Sequence, residues 1–156
     1  LTWRDAVTSL SVPVVMIIVT SLALGKALMA TGMANYLAME FVGMVSGFPI
    51  SLILSGLMLL MTIFTNLVSN NAAAVIGTPI AVAIATELGV DPVPFVLAVL
   101  FGANMSFATP YGYKTNLLIL SAGGYKFSDF MRVGIPLTIL MWLGFSLVLP
   151  QLYDLG

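Results

Sequence analysis

The chain has 156 residues, of which 60% are apolar and 7% are charged, with 5 Lys and Arg, 6 Asp and Glu, and neither Cys nor His. Because soluble domains carry about 25% charged residues, this composition excludes a water-soluble domain and predicts a membrane protein. A net charge of -1 without a basic stripe argues against a nucleic-acid partner. Without Cys or His there is no disulfide, no thiolate or imidazole metal site and no His base. We therefore expect no enzyme and no organic cofactor.

The sequence begins with Leu1 and has no signal-like stretch with a basic region and a cleavage site. We expect it to be a piece of a larger membrane protein. The elements below are predicted for this piece.

The first predicted element is a membrane crossing. Arg4 and Asp5 precede residues 6–25, which are apolar except for hydroxyl side chains and long enough to cross a hydrocarbon slab about 30 Å thick. Residues 26–47 contain two charges and several glycines, a pattern more typical of a helix lying flat at the interface. The Gly-Phe-Pro sequence at residues 47–49 is expected to end that helix.

The charge-free residues 41–86 are far too many for one crossing. As a continuous helix they would be about 69 Å long, so the chain must reverse among them. The reversal is predicted at residues 65–71, where five of seven side chains can form hydrogen bonds. Each apolar flank, of about 15 residues, suits one arm of a re-entrant helical hairpin over residues 50–88. The alternative is two full crossings joined by a polar external loop.

A broken transmembrane helix is predicted over residues 92–124, after an acidic loop at residues 87–92 that contains Gly and Pro. The break is expected at residues 108–113. Pro110 removes a backbone donor and Gly112 allows unusual dihedral angles, so backbone groups near mid-membrane lose their helical partners. In lipid this is tolerated only where the open backbone is buried in protein or faces a polar cavity.

A basic loop precedes the last predicted crossing, residues 130–150. If the hairpin re-enters from the far side, Arg4, Lys126 and Arg132 fall on one side of the membrane and Lys26 falls on the other. The excess of Lys and Arg predicts that the first side is cytoplasmic.

The two interruptions are suited to hold ions. Half-helices beginning near Asn71 and Tyr113 would offer N–H groups and positive dipole ends to an anion, while hydroxyls and unwound carbonyls coordinate a small cation. Neither interruption contains a carboxylate, which favours Na⁺ over a proton relay. Lys114 is the one charge predicted within the membrane: it could balance a multivalent anion, snorkel to the surface, or pair with a carboxylate in a missing part. Thr115 and Asn116 are interpreted as polar lining.

These motifs resemble the divalent anion/Na⁺ symporter family of permeases, in the ion transporter superfamily. Ser69-Asn70-Asn71 at the hairpin tip and Ala108-Thr109-Pro110 in the broken helix carry the resemblance. Supporting matches lie at residues 3–4, 22–25, 31–32, 88–92 and 132–134. The resemblance covers essentially the whole chain. It implies the C-terminal half of a permease built from two inverted repeats, with the N-terminal half missing, in a homodimer.

The fold implied is an all-α membrane protein: a polytopic helical bundle with a re-entrant hairpin and a broken transmembrane helix, one inverted-repeat half of an elevator-type transporter. Residues 1–25 would be a scaffold-type transmembrane helix and residues 26–49 an interfacial arm helix. Residues 50–156 would be half of the transport domain.

The resemblance also implies site residues. With Lys114 added for its charge, the expected substrate-binding residues are Ser69, Asn70, Asn71, Thr109, Pro110 and Lys114. The expected Na⁺ ligands are Thr65, Val68, Asn70 and the carbonyl of Ala108. Two departures from the family pattern stand out: Asn71 replaces a Thr, and Tyr111-Gly-Tyr-Lys114 follows Pro110 in place of Pro-Asn. This variant resembles a bacterial branch described as sulfate-type or as carrying cytosolic regulatory domains.

We therefore predict an integral membrane transporter of the bacterial inner (plasma) membrane, which moves a small divalent anion such as sulfate or a di- or tricarboxylate. Na⁺ is the expected coupling ion, and the partners are the anionic solute and the lipid bilayer. One alternative is a Na⁺/H⁺ or arsenite-type exchanger of the same superfamily, which needs a titratable carboxylate in the missing half. The other is a non-transporting membrane anchor or assembly module, which has no ion site.

Overall fold

The computed structural model describes residues 12–45 and 47–155, and over these residues it contains seven α-helices and no strand. The helices are α1 (Val12–Ala30), α2 (Met33–Val45), α3 (Ile50–Leu67), α4 (Asn70–Leu88), α5 (Pro92–Asn104), α6 (Lys114–Ala122) and α7 (Phe127–Leu152). The all-α prediction is confirmed for this part of the chain. Trp3, Arg4 and the start of the first predicted crossing lie outside the described residues.

The boundary between the first two helices differs from the predicted one. α1 continues through Lys26 to Ala30, where the sequence had placed the start of the interfacial segment. The chain turns at Gly32, whose φ of 72° lies in the left-handed region that glycine adopts without steric cost. α2 then ends at Val45, before Gly47 with φ 95°. The end of α1 is therefore set by the glycine with positive φ and not by the first charged residue, Lys26.

The chain reverses at Val68 and Ser69, which are both extended. A Cβ at Gly77 of α4 would collide with the sulfur of Met61 in α3, so these two residues lie opposite each other. Because they are nearly equally far from the turn, α3 and α4 run antiparallel as the arms of a hairpin. The reversal falls within the predicted residues 65–71.

The arms are longer than the predicted flanks, with 18 residues in α3 and 19 in α4. The reason is that the polar residues of the tip are helical: Thr65 and Asn66 belong to the last turn of α3, and Asn70 and Asn71 to the first turn of α4. Both arms, like α7, are long and apolar enough to cross a membrane. Helix length therefore fits a re-entrant hairpin and a pair of crossings equally well.

α5 packs against both arms of the hairpin, and the core lies where these three helices meet. The largest fully buried side chains of this core include Phe95 of α5 and Leu54 and Met58 of α3. Gly102 lets the backbones of α5 and α3 approach closely, since a Cβ there would lie 2.6 Å from the Met58 carbonyl oxygen. Small residues allow such contacts in membranes, where close packing rather than hydrophobic exclusion joins helices.

α7 is attached to the hairpin by polar contacts. The Trp142 Nε1 donates to the Ser55 carbonyl at 3.0 Å, and the hydroxyl oxygens of Ser55 and Ser146 lie 2.8 Å apart. The rings of Phe101 in α5 and Phe145 in α7 are stacked with centroids 4.3 Å apart. Much of the remaining surface of α7 consists of exposed large apolar side chains, which suits lipid or further protein.

Candidate functional site

The break between α5 and α6 is longer than predicted, because α5 already ends at Asn104 and α6 begins at Lys114. Pro110 accounts for the early end. It has no N–H for the Ser106 carbonyl four residues earlier, and its ring disfavours a helical conformation at Thr109. The chain therefore leaves the helix well before the proline.

Asn66, in the last turn of α3, holds this break against the hairpin. Its Oδ1 accepts from the backbone N–H groups of Ala108 and Thr109, at 3.1 and 3.2 Å. Its Nδ2 donates to the carbonyls of Met105 and Thr62, at 3.0 and 2.8 Å. In return, the Thr109 hydroxyl donates to the Asn66 carbonyl at 2.7 Å. We call the three bonds between Asn66 and residues 108–109 the Asn66 clamp.

Asn116, in the first turn of α6, supports the break from its other end. Its Nδ2 donates to the Ser106 carbonyl at 3.0 Å and lies 3.4 Å from the Thr109 carbonyl. The Ser106 carbonyl is the group that would accept a bond from residue 110 in a continuous helix. Asn116 thus supplies a donor that Pro110 lacks, so it is more than polar lining.

Three oxygen atoms meet behind the hairpin tip. Thr65 is completely buried, and its Oγ1 lies 2.8 Å from the Ala103 carbonyl oxygen and 2.9 Å from Asn70 Oδ1. The single hydroxyl hydrogen of Thr65 is shared between two acceptors, which leaves an excess of lone pairs. Hydroxyl, amide and carbonyl oxygens are the groups that hold Na⁺ at broken helices of transporters. Val68 follows as the extended residue that ends α3.

An open cavity of about 640 Å³ lies beside the tip and the break. Its lining includes Ser69, Asn70 and Asn71 from the tip, Lys114 from α6, and Thr20 from α1. Among the residues that the structure describes, Lys114 is the one charged side chain of the lining, and no carboxylate takes part. The cavity is therefore suited to an anion.

Two helices begin at this cavity, α4 at Asn70 and α6 at Lys114. The positive ends of both helix dipoles thus lie at its wall, close to the predicted starts. The Ser69 Oγ accepts from the Ala72 N–H at 3.3 Å, which leaves the hydroxyl hydrogen available to a ligand. No side chain caps α6, so its first N–H groups have no side-chain acceptor.

The structure brings four of the six predicted substrate residues together in the cavity lining and places the other two behind it. Ser69, Asn70, Asn71 and Lys114 line the cavity. Pro110 is fully buried, and the Thr109 hydroxyl is engaged by the Asn66 carbonyl.

Gly112 provides space and not an unusual dihedral angle. Its φ is not positive, unlike that of Gly32 or Gly47. A Cβ at Gly112 would lie 2.6 Å from the Thr65 carbonyl oxygen and 2.7 Å from the Ser106 Cβ. The Gly112 carbonyl also accepts from the Asn70 N–H at 3.3 Å. The break thus lies directly against the hairpin tip.

Sequence reasoning gave Asn66 no role beyond the polar tip. A signal was present, because an amide in the last turn of an apolar helix needs partners for both its oxygen and its nitrogen in lipid. The open backbone predicted at residues 108–113 was the natural source of those partners.

Comparison with known proteins identifies the family. A family model described as citrate transporter matches residues 1–155. The chain belongs to this citrate transporter family. An uncharacterized transporter of Synechocystis sp. is 35% identical over 144 residues, 90% of this chain and 23% of the relative. An uncharacterized transporter of Escherichia coli is 32% identical over 150 residues, 96% of this chain and 25% of the relative.

A sodium/sulfate cotransporter of Chlamydomonas reinhardtii is 35% identical over 88 residues, 55% of this chain and 10% of the relative. The recognition of a permease family of the ion transporter superfamily is thus confirmed. The chain spans about a quarter of the length of the Synechocystis and Escherichia coli relatives. Membership of a transporter family, together with the long apolar helices, makes it an integral membrane protein.

Proposed function

We propose that this chain carries half of the anion and Na⁺ sites of a secondary transporter, which moves a small divalent anion such as sulfate or a di- or tricarboxylate with Na⁺. The observation that carries the proposal is the cavity where the N-termini of α4 and α6 meet Lys114, with no carboxylate among the described residues of its lining. The name of the sodium/sulfate cotransporter relative and the description of the citrate transporter family support both classes of anion.

In this proposal the anion is bound by the hydroxyl of Ser69, the amides of Asn70 and Asn71, and the charge of Lys114, with Thr109 and Pro110 as the wall behind them. Na⁺ is held by Thr65, Asn70 and the carbonyls of Val68 and Ala108. Asn70 belongs to both sites, since its side chain lines the cavity while its Oδ1 lies 2.9 Å from Thr65 Oγ1. Na⁺ on the oxygen of this amide turns the NH₂ group toward the anion, which couples the two ligands.

The burial of Thr65 and the bonds of Asn66 support the re-entrant arrangement. Thr65 is completely buried and Asn66 is bonded to the break, whereas a loop outside the membrane would leave both side chains in water. We propose that residues 50–156 form half of a mobile transport domain, with residues 1–25 as scaffold and 26–49 as an interfacial arm. We also propose that the complete protein contains an N-terminal repeat and forms a homodimer. It would lie in the plasma membrane of a bacterium, with Lys126 on the cytoplasmic side.

Uptake by the complete protein in proteoliposomes tests this function. We expect an inward Na⁺ gradient, but not an equal K⁺ or choline gradient, to drive accumulation of radiolabelled sulfate, succinate or citrate, with competition among the three identifying the preferred anion. Anion uptake driven by a pH gradient alone would contradict Na⁺ coupling. Exchange of Na⁺ for protons without anion uptake would indicate the exchanger, and the absence of any flux would indicate the anchor.

A further inference from the structure

Asn66 lies between the two elements that form the proposed ion site. It follows Thr65, whose hydroxyl lies 2.9 Å from Asn70 Oδ1, and it is bonded to the backbone of Ala108 and Thr109 in the break. These bonds join residues 42 and 43 positions apart in the chain. Both halves of the proposed Na⁺ site, the hairpin tip and the break, are thus joined through one amide side chain.

The geometry of the peptide bond gives this amide control over a proposed ligand. The carbonyl of Ala108 and the N–H of Thr109 belong to the same peptide unit, which is planar and trans, so that they point in opposite directions. The bond from the Thr109 N–H to Asn66 Oδ1 therefore fixes the direction of the Ala108 carbonyl. Without Asn66, that peptide unit could rotate and change the direction of the Ala108 carbonyl.

The Thr109 side chain acts on the same contact. Its hydroxyl hydrogen is donated to the Asn66 carbonyl at 2.7 Å, the usual distance for an O–H···O bond. Thr109 does not line the cavity, whereas Tyr111 and Gly112, two and three residues later, do. A hydroxyl engaged in this way has no hydrogen left for an anion in the cavity.

We propose that the Asn66 clamp is a positioning device that sets the apparent affinity for Na⁺, and that Thr109 acts through the clamp without touching the anion. The inference rests on the proposed Na⁺-coupled transport and assigns Asn66 and Thr109 a role in it. Thr109 is thereby moved from the predicted substrate residues to the residues that position the break.

Four variants of the complete protein test the roles. Asn66→Leu removes the two side-chain bonds of the clamp, Thr109→Val removes the bond from the Thr109 hydroxyl to the backbone carbonyl of residue 66, and Thr109→Ser keeps that bond. Thr78→Val is the matched control, because the Thr78 hydroxyl bonds only within α4, to the Ala74 carbonyl at 2.7 Å. We expect Asn66→Leu and Thr109→Val to raise the Na⁺ concentration for half-maximal uptake about tenfold, the size of a lost buried hydrogen bond.

The anion KM at saturating Na⁺ separates positioning from direct contact. We expect it to change less than about twofold in both variants, and Thr109→Ser and Thr78→Val to behave like the unmodified protein. The double variant should lose less than the sum of the two single changes, since both act on the same contact. A Thr109→Val protein with a raised anion KM and unchanged Na⁺ dependence would overturn the inference, as would a Thr109→Ser protein as defective as Thr109→Val.

Hydrogen exchange separates failure of the clamp from failure of the proposed function. The amide hydrogens of Ala108 and Thr109 should exchange slowly in the Na⁺-free protein and in Thr109→Ser, but rapidly in Asn66→Leu. Rapid exchange in an unmodified protein that responds to Na⁺ would overturn the clamp alone. Slow exchange in a protein whose uptake does not depend on Na⁺ would overturn the proposed function and the role of the clamp in Na⁺ affinity. The clamp would then be a structural contact only.

Discussion

Single side chains in this protein satisfy backbone groups that a helix would normally satisfy. Asn66 and Asn116 together bond backbone groups of the break at Met105, Ser106, Ala108 and Thr109. An asparagine amide has both a donor and an acceptor, so one residue can satisfy an N–H and a carbonyl. Because an unsatisfied backbone group is costly in a membrane, these two residues allow the chain to leave the helix inside the protein.

Gly112 is the residue whose replacement tests how tightly the break contacts the tip. In Gly112→Ala the new methyl group would meet the Thr65 carbonyl oxygen at 2.6 Å, and backbone atoms cannot yield as a flexible side chain can. We expect a loss of about 1–3 kcal/mol of stability from overpacking, measured as a lower unfolding temperature of the complete protein in detergent. Gly144→Ala is the control, since nothing lies within 4 Å of a Cβ there. Equal unfolding temperatures for the two variants would show that the close approach does not exist.

Helices α3, α4 and α5 act as one unit, with the break clamped to the tip and α7 attached along α3. The contacts of α7 are polar as well as apolar, through Ser55, Trp142 and Ser146. Hydrogen bonds between transmembrane helices contribute about 0.6 kcal/mol on average and at most about 1.7 in double-mutant cycles. We therefore expect several contacts to attach α7, each with a small and independent contribution to the free energy of unfolding.

A double-mutant cycle between α3 and α7 measures one of these terms. We expect Ser55→Ala and Ser146→Ala to show a coupling free energy of about 0.5–1.5 kcal/mol in the unfolding of the complete protein, because their hydroxyl oxygens lie 2.8 Å apart. Ser55→Ala combined with Ser121→Ala provides the control, as the Ser121 hydroxyl bonds to Leu118 within α6. Additive effects for the Ser55 and Ser146 pair would show that this contact contributes nothing to the attachment of α7.

The open cavity beside the hairpin tip, the proposed anion site, has a wall that comes from several elements. Thr20 and Leu24 of α1 face the hairpin tip and the start of α6 across it. In the proposed elevator arrangement Thr20 and Leu24 belong to the scaffold, and the other lining residues belong to the moving part. The cavity therefore lies at the boundary that would open and close during transport.

Ion binding to the complete protein should appear in its thermal stability. A ligand that binds the folded state at 100 times its Kd stabilises it by about 2.7 kcal/mol. We expect NaCl to raise the unfolding temperature more than KCl or choline chloride at equal ionic strength, and Asn70→Ala to abolish this Na⁺-specific difference and Na⁺-dependent uptake. Asn35→Ala, at an exposed position of α2, should retain both. Equal stabilisation by choline and Na⁺ would contradict a Na⁺ site.

Features that depend on local chemistry could be predicted from the sequence. Low charge predicts lipid surroundings, residues 65–71 mark the reversal, and Pro110 marks the broken helix, because solvation and backbone restriction act on neighbouring residues. The motifs at residues 69–71 and 108–110 were sufficient to recognise the transporter family, which the comparisons confirm. The predicted helix ends were less accurate. The polar residues of the tip belong to the helices, and α1 ends just before Gly32 instead of at residue 26.

Which polar group bonds to which backbone group depends on the packing of the helices and could not be predicted from the sequence. Asn66 and Thr109 are 43 residues apart, so no periodicity or propensity relates them, and their contact exists only because α5 packs against both hairpin arms. The same packing buries Pro110, engages the Thr109 hydroxyl and leaves Ser69, Asn71 and Lys114 at the cavity. The physical reason is that an open backbone in a membrane must be satisfied by whatever the fold brings near it, and that neighbour is set by long-range packing.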